Sequence, residues 1–323
     1  MKTPDVLARV TVQMRAVLDR QTALSDDAFE TDVALEEMRR RYALERVFWN
    51  EGGPVMVATV DDLVPGPSGN IPIRAHRPSG ASGRPCIVYL HGGGFVVGNL
   101  DTHDRIMRTL AERTGSVVVG VDYSLSPEAK FPMAVRECAA VVQHLRAAGA
   151  ALGIDGNHIS LAGDSGGANL CLATTLYLRD EAPGQAIRCL ILYYGMFGLR
   201  DSLSQRLFGG EWDGLARADL DYYLRCYTTG PLDLESPYLD CLSADLSAGV
   251  PPCYIAASGL DPLRDDSLAL SALLQEADVP HRLRVFQGVL HGFLHHSRML
   301  PEAGEALADG ADFYCGLLAA TAR

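Results

Sequence analysis

Three short stretches hold residue types that can move an acyl group, and they come in a fixed order. His91-Gly92-Gly93-Gly94 is followed by Gly163-Asp164-Ser165-Gly166-Gly167, and then by Asp261 and His291. A serine hydroxyl is a weak nucleophile until a base takes its proton, and a histidine held by a carboxylate is a fitting base. Attack on a carbonyl puts negative charge on oxygen, which backbone N–H groups fixed in advance stabilise; losing one such donor typically costs ~10²–10³ in rate. A glycine run exposes successive N–H groups because no side chain crowds the approach. A Gly-x-Ser-x-Gly pentapeptide alone is a common accident in a chain with 32 glycines. In this company it describes acyl transfer through a serine nucleophile.

Ser165 is the expected nucleophile, on a sharp strand-to-helix turn that requires small residues two before and two after it, here Gly163 and Gly167. The bland alternative is a serine in an ordinary glycine turn; the apolar strand before it and helix-forming Ala168–Ala173 after it speak against that. Gly92 and Gly93, directly after the strand that ends at Leu90, are the expected oxyanion donors, with the Gly166 amide as the third. His91 is expected to orient this loop rather than to act as a base. A glycine run can also cradle phosphate, but no Gly-Lys-Ser/Thr follows, and Val97 stands where a Gly-x-Gly-x-x-Gly motif needs its last glycine.

Nine histidines compete for the role of base. His291 lies just past a predicted strand, where open α/β sheets build their sites. His295 and His296 are expected at the surface or at a subunit contact, because no carboxylate or cysteine stands near them in sequence to complete a metal site. His76, His103, His144, His158 and His281 fall on predicted strands or helices without chemical neighbours. Among the acids, Asp261 follows a strand and the turn Ser258-Gly259-Leu260, and takes the place beside the histidine. Asp265 and Asp266 precede Ser267-Leu268-Ala269-Leu270 and are expected to cap that helix.

The elements that must position these residues follow from periodicity. Val6, Val10, Met14 and Val17 stripe a helix over 5–18. A second helix over 32–48 sets Leu35, Met38, Tyr42 and Val47 against Glu36, Arg39 and Arg40. Strands over 55–64 and 71–77 flank the turn-rich segment 65–70. Apolar strands over 86–90, 117–121, 158–162, 187–193, 253–257 and 282–286 then alternate with helices near 102–114, 132–148, 166–179, 266–277 and 302–318. Such alternation means an α/β fold, a mostly parallel central sheet flanked by helices. Residues 196–248 break the rhythm and read as an insertion. The expected organisation is a helical cap segment over 1–50 and a catalytic domain over 51–323 with a cap insertion around 196–248; a helical arm packed elsewhere or on a second subunit is the alternative for 1–50.

A net charge of -12 argues against nucleic acid and anionic membranes as partners. With Lys2, Asp5, Arg9, Arg15 and Asp19 in the first twenty residues no secretory leader is expected, and no stretch is apolar enough to span a membrane. The eight cysteines form no C-x-x-C pair. No metal and no cofactor is expected, and the location is expected to be cytoplasmic, with reduced thiols.

The order Ser, Asp, His along the chain belongs to α/β-hydrolases. More narrowly, the sequence resembles the hormone-sensitive-lipase-like branch of α/β-hydrolase esterases, marked by H-G-G-G, a G-D-S-A-G elbow, D-P-L-x-D and H-x-F. Within it the sequence resembles the bacterial acetyl esterases, through residues 45–50, 98–108, 210–215, 235–238 and 293–299. The resemblance implies hydrolysis of short-acyl-chain esters through an acyl-enzyme, with Ser165, Asp261 and His291 as triad, Gly92 and Gly93 in the oxyanion loop, and no cofactor. It leaves open a homodimer and a regulatory protein partner, a transcriptional activator or a galactosidase of sugar metabolism. Gly166 departs from the family's usual alanine, which keeps the N–H but adds backbone freedom to the turn. A regulatory or binding protein on a hydrolase fold, alone or in addition to esterase activity, is the alternative; the plant gibberellin receptors of this family lack a working triad histidine.

Because a neutral imidazole is required, activity should fall below about pH 6–7, near the free histidine pKa. A rate that stays flat from pH 5 to 9 would contradict the assignment of a histidine base.

Overall fold

The computed structural model describes residues 4–25, 27–184, 186–210, 212 and 214–321. Residues 1–3 of the expected cap segment, with Lys2, and Glu211 and Asp213 of the 210–215 stretch lie outside them.

Eight strands form one sheet: β1 (Ala58–Pro65), β2 (Asn70–Arg77), β3 (Arg84–Leu90), β4 (Val117–Val121), β5 (Ile154–Asp164), β6 (Leu190–Tyr193), β7 (Cys253–Ser258) and β8 (His281–Phe286). Their spatial order is β1-β2-β4-β3-β5-β6-β7-β8. Only β2 runs against its neighbours, and all pairings from β4 to β8 are parallel. This is the mostly parallel sheet that the alternation demands. Successive strand residues face opposite sides, so Cys86, Val88 and Leu90 join one core while Ile87 and Tyr89 join the other. The first core is closed by α4 (Met133–Ala148), α5 (Gly166–Glu181) and α8 (Arg264–Glu276), the second by α3 (Asp104–Thr114) and α9 (Pro301–Thr321).

The N-terminal helices differ in detail from the expected ranges. α1 (Val12–Leu24) starts only at Thr11, whose hydroxyl accepts the Met14 N–H at 3.1 Å, and Leu7–Arg9 make a separate 3₁₀ turn. α2 (Leu35–Asn50) buries Met38, Tyr42, Glu45, Arg46 and Trp49, whereas Val47 is 58% exposed. From Tyr42 a 3.6-residue period leads to positions 45, 46 and 49, so the stripe passes through two charged residues. They tolerate burial because each has partners. Glu45 lies 2.6 Å from Arg46, accepts Trp49 Nε1–H at 2.6 Å and accepts Gln21 Nε2–H at 3.3 Å.

Residues 196–248 carry α6 (Leu203–Phe208) and α7 (Arg217–Tyr227). The two aspartates expected to cap α8 lie in its first turn but hold this insertion instead. Asp266 Oδ1 accepts the N–H groups of Phe197, Gly198 and Leu199 at 2.8, 3.0 and 3.1 Å. Asp265 Oδ2 accepts the Ser204 N–H at 2.8 Å. The start of α8 has no side-chain cap, and its first-turn carboxylates instead accept from the loop that enters the insertion.

Burial raises the Asp266 carboxyl from an ordinary 3.8 to about 7, against three amide N–H groups that favour its charge. The folded chain therefore keeps a proton that the unfolded chain loses, and the stability contributed this way is lost as pH rises from about 4 to 7. In Asp266→Asn that loss is absent, so the urea midpoint of the variant relative to wild type should climb between pH 5 and pH 8. Parallel curves would refute the account.

Candidate active site

The register of the sheet sets Leu90 beside Gly163, so the glycine run after β3 meets the turn after β5. A Cβ on Gly167 would stand 2.0 Å from the Leu90 carbonyl oxygen, and one on Gly163 2.6 Å from the oxygens of Leu90 and Gly167. That close approach is why the pentapeptide begins and ends with glycine. Between them Ser165 has φ 54° and ψ −122°, a strained conformation for a side-chain-bearing residue, costing on the order of 1–3 kcal/mol. It is held by its own N–H donating to Tyr193 O at 2.9 Å and by its carbonyl starting α5.

His291 stands on the loop after β8, with Nε2 2.9 Å from Ser165 Oγ and Nδ1 2.8 Å from Asp261 Oδ2. Asp261, after β7, is wholly buried, and its other oxygen accepts the Leu263 N–H at 2.7 Å. A carboxylate can only accept, so Nδ1 carries the proton and Nε2 presents its lone pair to the serine hydroxyl. The Tyr194 ring stands edge-on to the imidazole at 4.9 Å.

The glycine run differs from expectation in one donor. Gly92 donates its N–H to Asp164 Oδ1 at 3.0 Å. Among the described residues Gly93, Gly94 and Gly166 line the pocket, and no protein acceptor takes their N–H groups. The Gly92 N–H is thus already engaged, while those of Gly93, Gly94 and Gly166 are left toward the pocket. The sequence could not rank three adjacent glycines, because the choice depends on a carboxylate 72 residues away. A Cβ on Gly166 would reach within 3.3 Å of the Phe95 ring, a tight but not forbidden contact. His91 is buried outside the pocket lining, stacks on Tyr123 at 4.3 Å and donates Nδ1–H to the Gly92 carbonyl at 2.8 Å. Burial, and then the neighbouring His103, push it down to about 3, so it is neutral.

Asp164 is the residue that motif reading passed over. Its Oδ1 also accepts Tyr89 Oη–H at 2.8 Å and lies 3.4 Å from His103 Nε2. Burial opposes its charge, yet His103, Tyr89 and the Gly92 amide hold the carboxyl below its usual range. His103 thus has a chemical neighbour after all.

His295 and His296 are not surface residues. The 3₁₀ turn Phe293–His296 folds beneath α2, leaving them 4% and 2% exposed, with His296 edge-on to Trp49 at 4.5 Å. Burial, and then the Arg46 charge, hold both well below the ordinary histidine value. The carboxylate missing near His295 in sequence is supplied by the fold, since ligand atoms of His103, Asp164 and His295 lie within 4.8 Å of one another. In that cluster Asp164 Oδ1 already accepts from Tyr89 and Gly92 and lies 3.4 Å from His103 Nε2.

The pocket above Ser165 has two kinds of wall. Met196, Leu215, Leu220 and Leu263 make one side apolar; Gln21 and Arg46 from the N-terminal helices, with His295 and His296, make the other polar. No helix among the described residues is long and apolar enough to cross a membrane.

A Cβ on Gly92 would meet Asp164 Oδ2 at 2.5 Å and pry the loop from its carboxylate. Gly92→Ala should therefore lower kcat by ~10²–10³, the scale of a lost oxyanion donor, with KM nearly unchanged. Steady-state kinetics on a chromogenic ester decides it; an unaltered kcat would show that the loop does not depend on this contact.

Residues 87–295 match the family model described as the α/β hydrolase fold. The chain is 45% identical over 315 residues to an acetyl esterase of Salmonella dublin, covering 96% of this chain and 95% of that protein. It is also similar to a solved hyperthermophilic esterase from Pyrobaculum calidifontis, with 32% identity, a TM-score of 0.88, and coverage of 96% and 99% of the two chains. An ester hydrolase from the metagenome of Lake Arreo, solved with a bipyridine phosphonate derivative, gives a TM-score of 0.89 at 28% identity, over 96% of this chain and 99% of that one. The chain belongs to the α/β-hydrolase fold family, in the branch that contains the bacterial acetyl esterases.

Proposed function

We propose that this protein is a serine carboxylesterase that cleaves esters of short acyl chains, acetate foremost. The observation that carries the reading is the unbroken hydrogen-bonded line from Ser165 through His291 to Asp261, facing unengaged N–H groups. Ser165 is the nucleophile. His291 takes its proton as Oγ attacks the carbonyl carbon, and Asp261 stabilises the imidazolium that forms. The N–H groups of Gly93, Gly94 and Gly166 receive the oxyanion, while His91 and Asp164 fix the loop that presents them. His291 then protonates the departing alcohol, and water repeats the sequence to release the acid. Proton transfers and fixed dipoles suffice for every step.

The preference for short acyl chains is supported by the acetyl esterase relatives. Residues 4–50 and 196–248 serve as a two-part cap, since both supply pocket walls, and 51–323 is the catalytic domain that carries the second part. All eight cysteines are free, which suits a reducing cytoplasm. Relatives named as esterases do not favour a purely regulatory role.

Wild type should cleave p-nitrophenyl acetate and butyrate fast and the palmitate ester poorly, and Ser165→Ala should abolish all of it. Cleavage that survives in Ser165→Ala, or none in wild type, would sink the proposal.

A further inference from the structure

The pocket's polar wall is unusual in what it leaves unpaired. Arg46 is 5% exposed, and its Nε has no hydrogen-bond partner; nor do Trp212 Nε1 or either ring nitrogen of His296. Buried polar atoms are paired in more than about nine cases of ten, so four around one pocket ask for a common partner. Glu45 binds both Arg46 and Trp49, and Trp49 lies against His296, while Trp212 faces the same pocket from the insertion. Arg46, Trp212 and His296 all line the pocket above Ser165.

The chemistry of the wall selects its ligand. Glu45 neutralises Arg46 at 2.6 Å, so the wall carries no net charge to attract an anion. A hydrocarbon would leave four polar atoms without partners. His296 is held neutral by burial and then by Arg46, so it offers one donor and one acceptor beside the two N–H donors of Arg46 and Trp212. A hydroxyl group donates and accepts, and meets both needs. His296 follows five residues after His291, both line the same pocket, and His291 is the group that returns a proton to the leaving oxygen, which brings the wall to the alcohol half.

We infer that Arg46, Trp212 and His296 form a subsite for hydroxyl groups on the alcohol half of the ester, so that the preferred substrates are acyl esters of polyhydroxy alcohols rather than of plain alkanols. This rests on the esterase reading above and adds a substrate class to it.

The test compares kcat/KM for glycerol 1-acetate with that for propyl acetate, which has the same carbon skeleton without the two hydroxyls. Each value is divided by the ester's own hydroxide-catalysed rate, to remove the effect of the leaving group. Wild type should favour the glycerol ester by about tenfold, the worth of roughly one to two hydrogen bonds. Arg46→Met and Trp212→Phe should each bring the ratio towards one. Trp212→Phe keeps the test open if exposing Glu45 unfolds the arginine variant. A wild-type ratio near one, a ratio unchanged in the folded variants, or a hydroxyl preference seen only on the acyl half (ethyl glycolate against ethyl acetate) overturns the inference. Hydrolysis of p-nitrophenyl acetate by the same wild-type preparation reads the esterase activity separately. If that ester is cleaved and the ratio is flat, only the subsite fails; if it is not cleaved, the esterase reading fails with it.

Discussion

The site depends on how closely β3 and β5 approach at their C-terminal ends. Gly167 lies so near the Leu90 carbonyl that no side chain fits between them, and Asp164 crosses the same gap to hold Gly92. One contact region therefore sets two things at once, the strained turn that lifts Ser165 and the direction in which the glycine run points its amides. Neither could be adjusted alone. The buried carboxylate is expensive in such surroundings, and His103, Tyr89 and Gly92 supply the hydrogen bonds and charge that keep it ionised.

A second constraint ties the insertion to the catalytic acid. Asp261, Asp265 and Asp266 fall within six residues, yet they reach His291, the start of α6 and the 197–199 loop respectively. The turn that delivers the acid also tethers the apolar wall of the pocket. Ring edges and hydrogen bonds do the corresponding work on the polar wall, where α2 lies over the 293–296 turn.

Much of this was legible in the sequence because motif spacing reports backbone geometry. The Gly163–Gly167 pentapeptide, the order of Ser165, Asp261 and His291, and the alternation of apolar strands with amphipathic helices together point to one backbone arrangement. What stayed hidden was pairing at long range. Nothing local marks Asp164 as the acceptor of Gly92, or Asp266 as the acceptor of three amides near residue 198. Burial of charge was hidden for the same reason. Val47 looked like the inward residue of α2, but Glu45 and Arg46 can turn inward only because Trp49 and Gln21 are there to meet Glu45. His295 and His296, polar neighbours on a loop, gave no hint that a helix from the other end of the chain covers them.

That coverage joins segments far apart along the chain. Arg298 donates to the Phe48 carbonyl and lies 2.9 Å from Glu51, 247 residues earlier, while Arg105 bridges Ser297 at 3.1 Å and the Glu51 carbonyl at 2.8 Å. The segment that roofs the pocket thus leaves the ribosome well before the sheet it rests on, and its seat is not complete until residues 293–298 have been made. Contacts of such high sequence separation form late and slowly. During synthesis the apolar faces of α1 and α2 must wait beside an unfinished sheet, a period in which a long chain is most exposed to wrong association. Ser165 is therefore made more than a hundred residues before the turn that closes the place where it works.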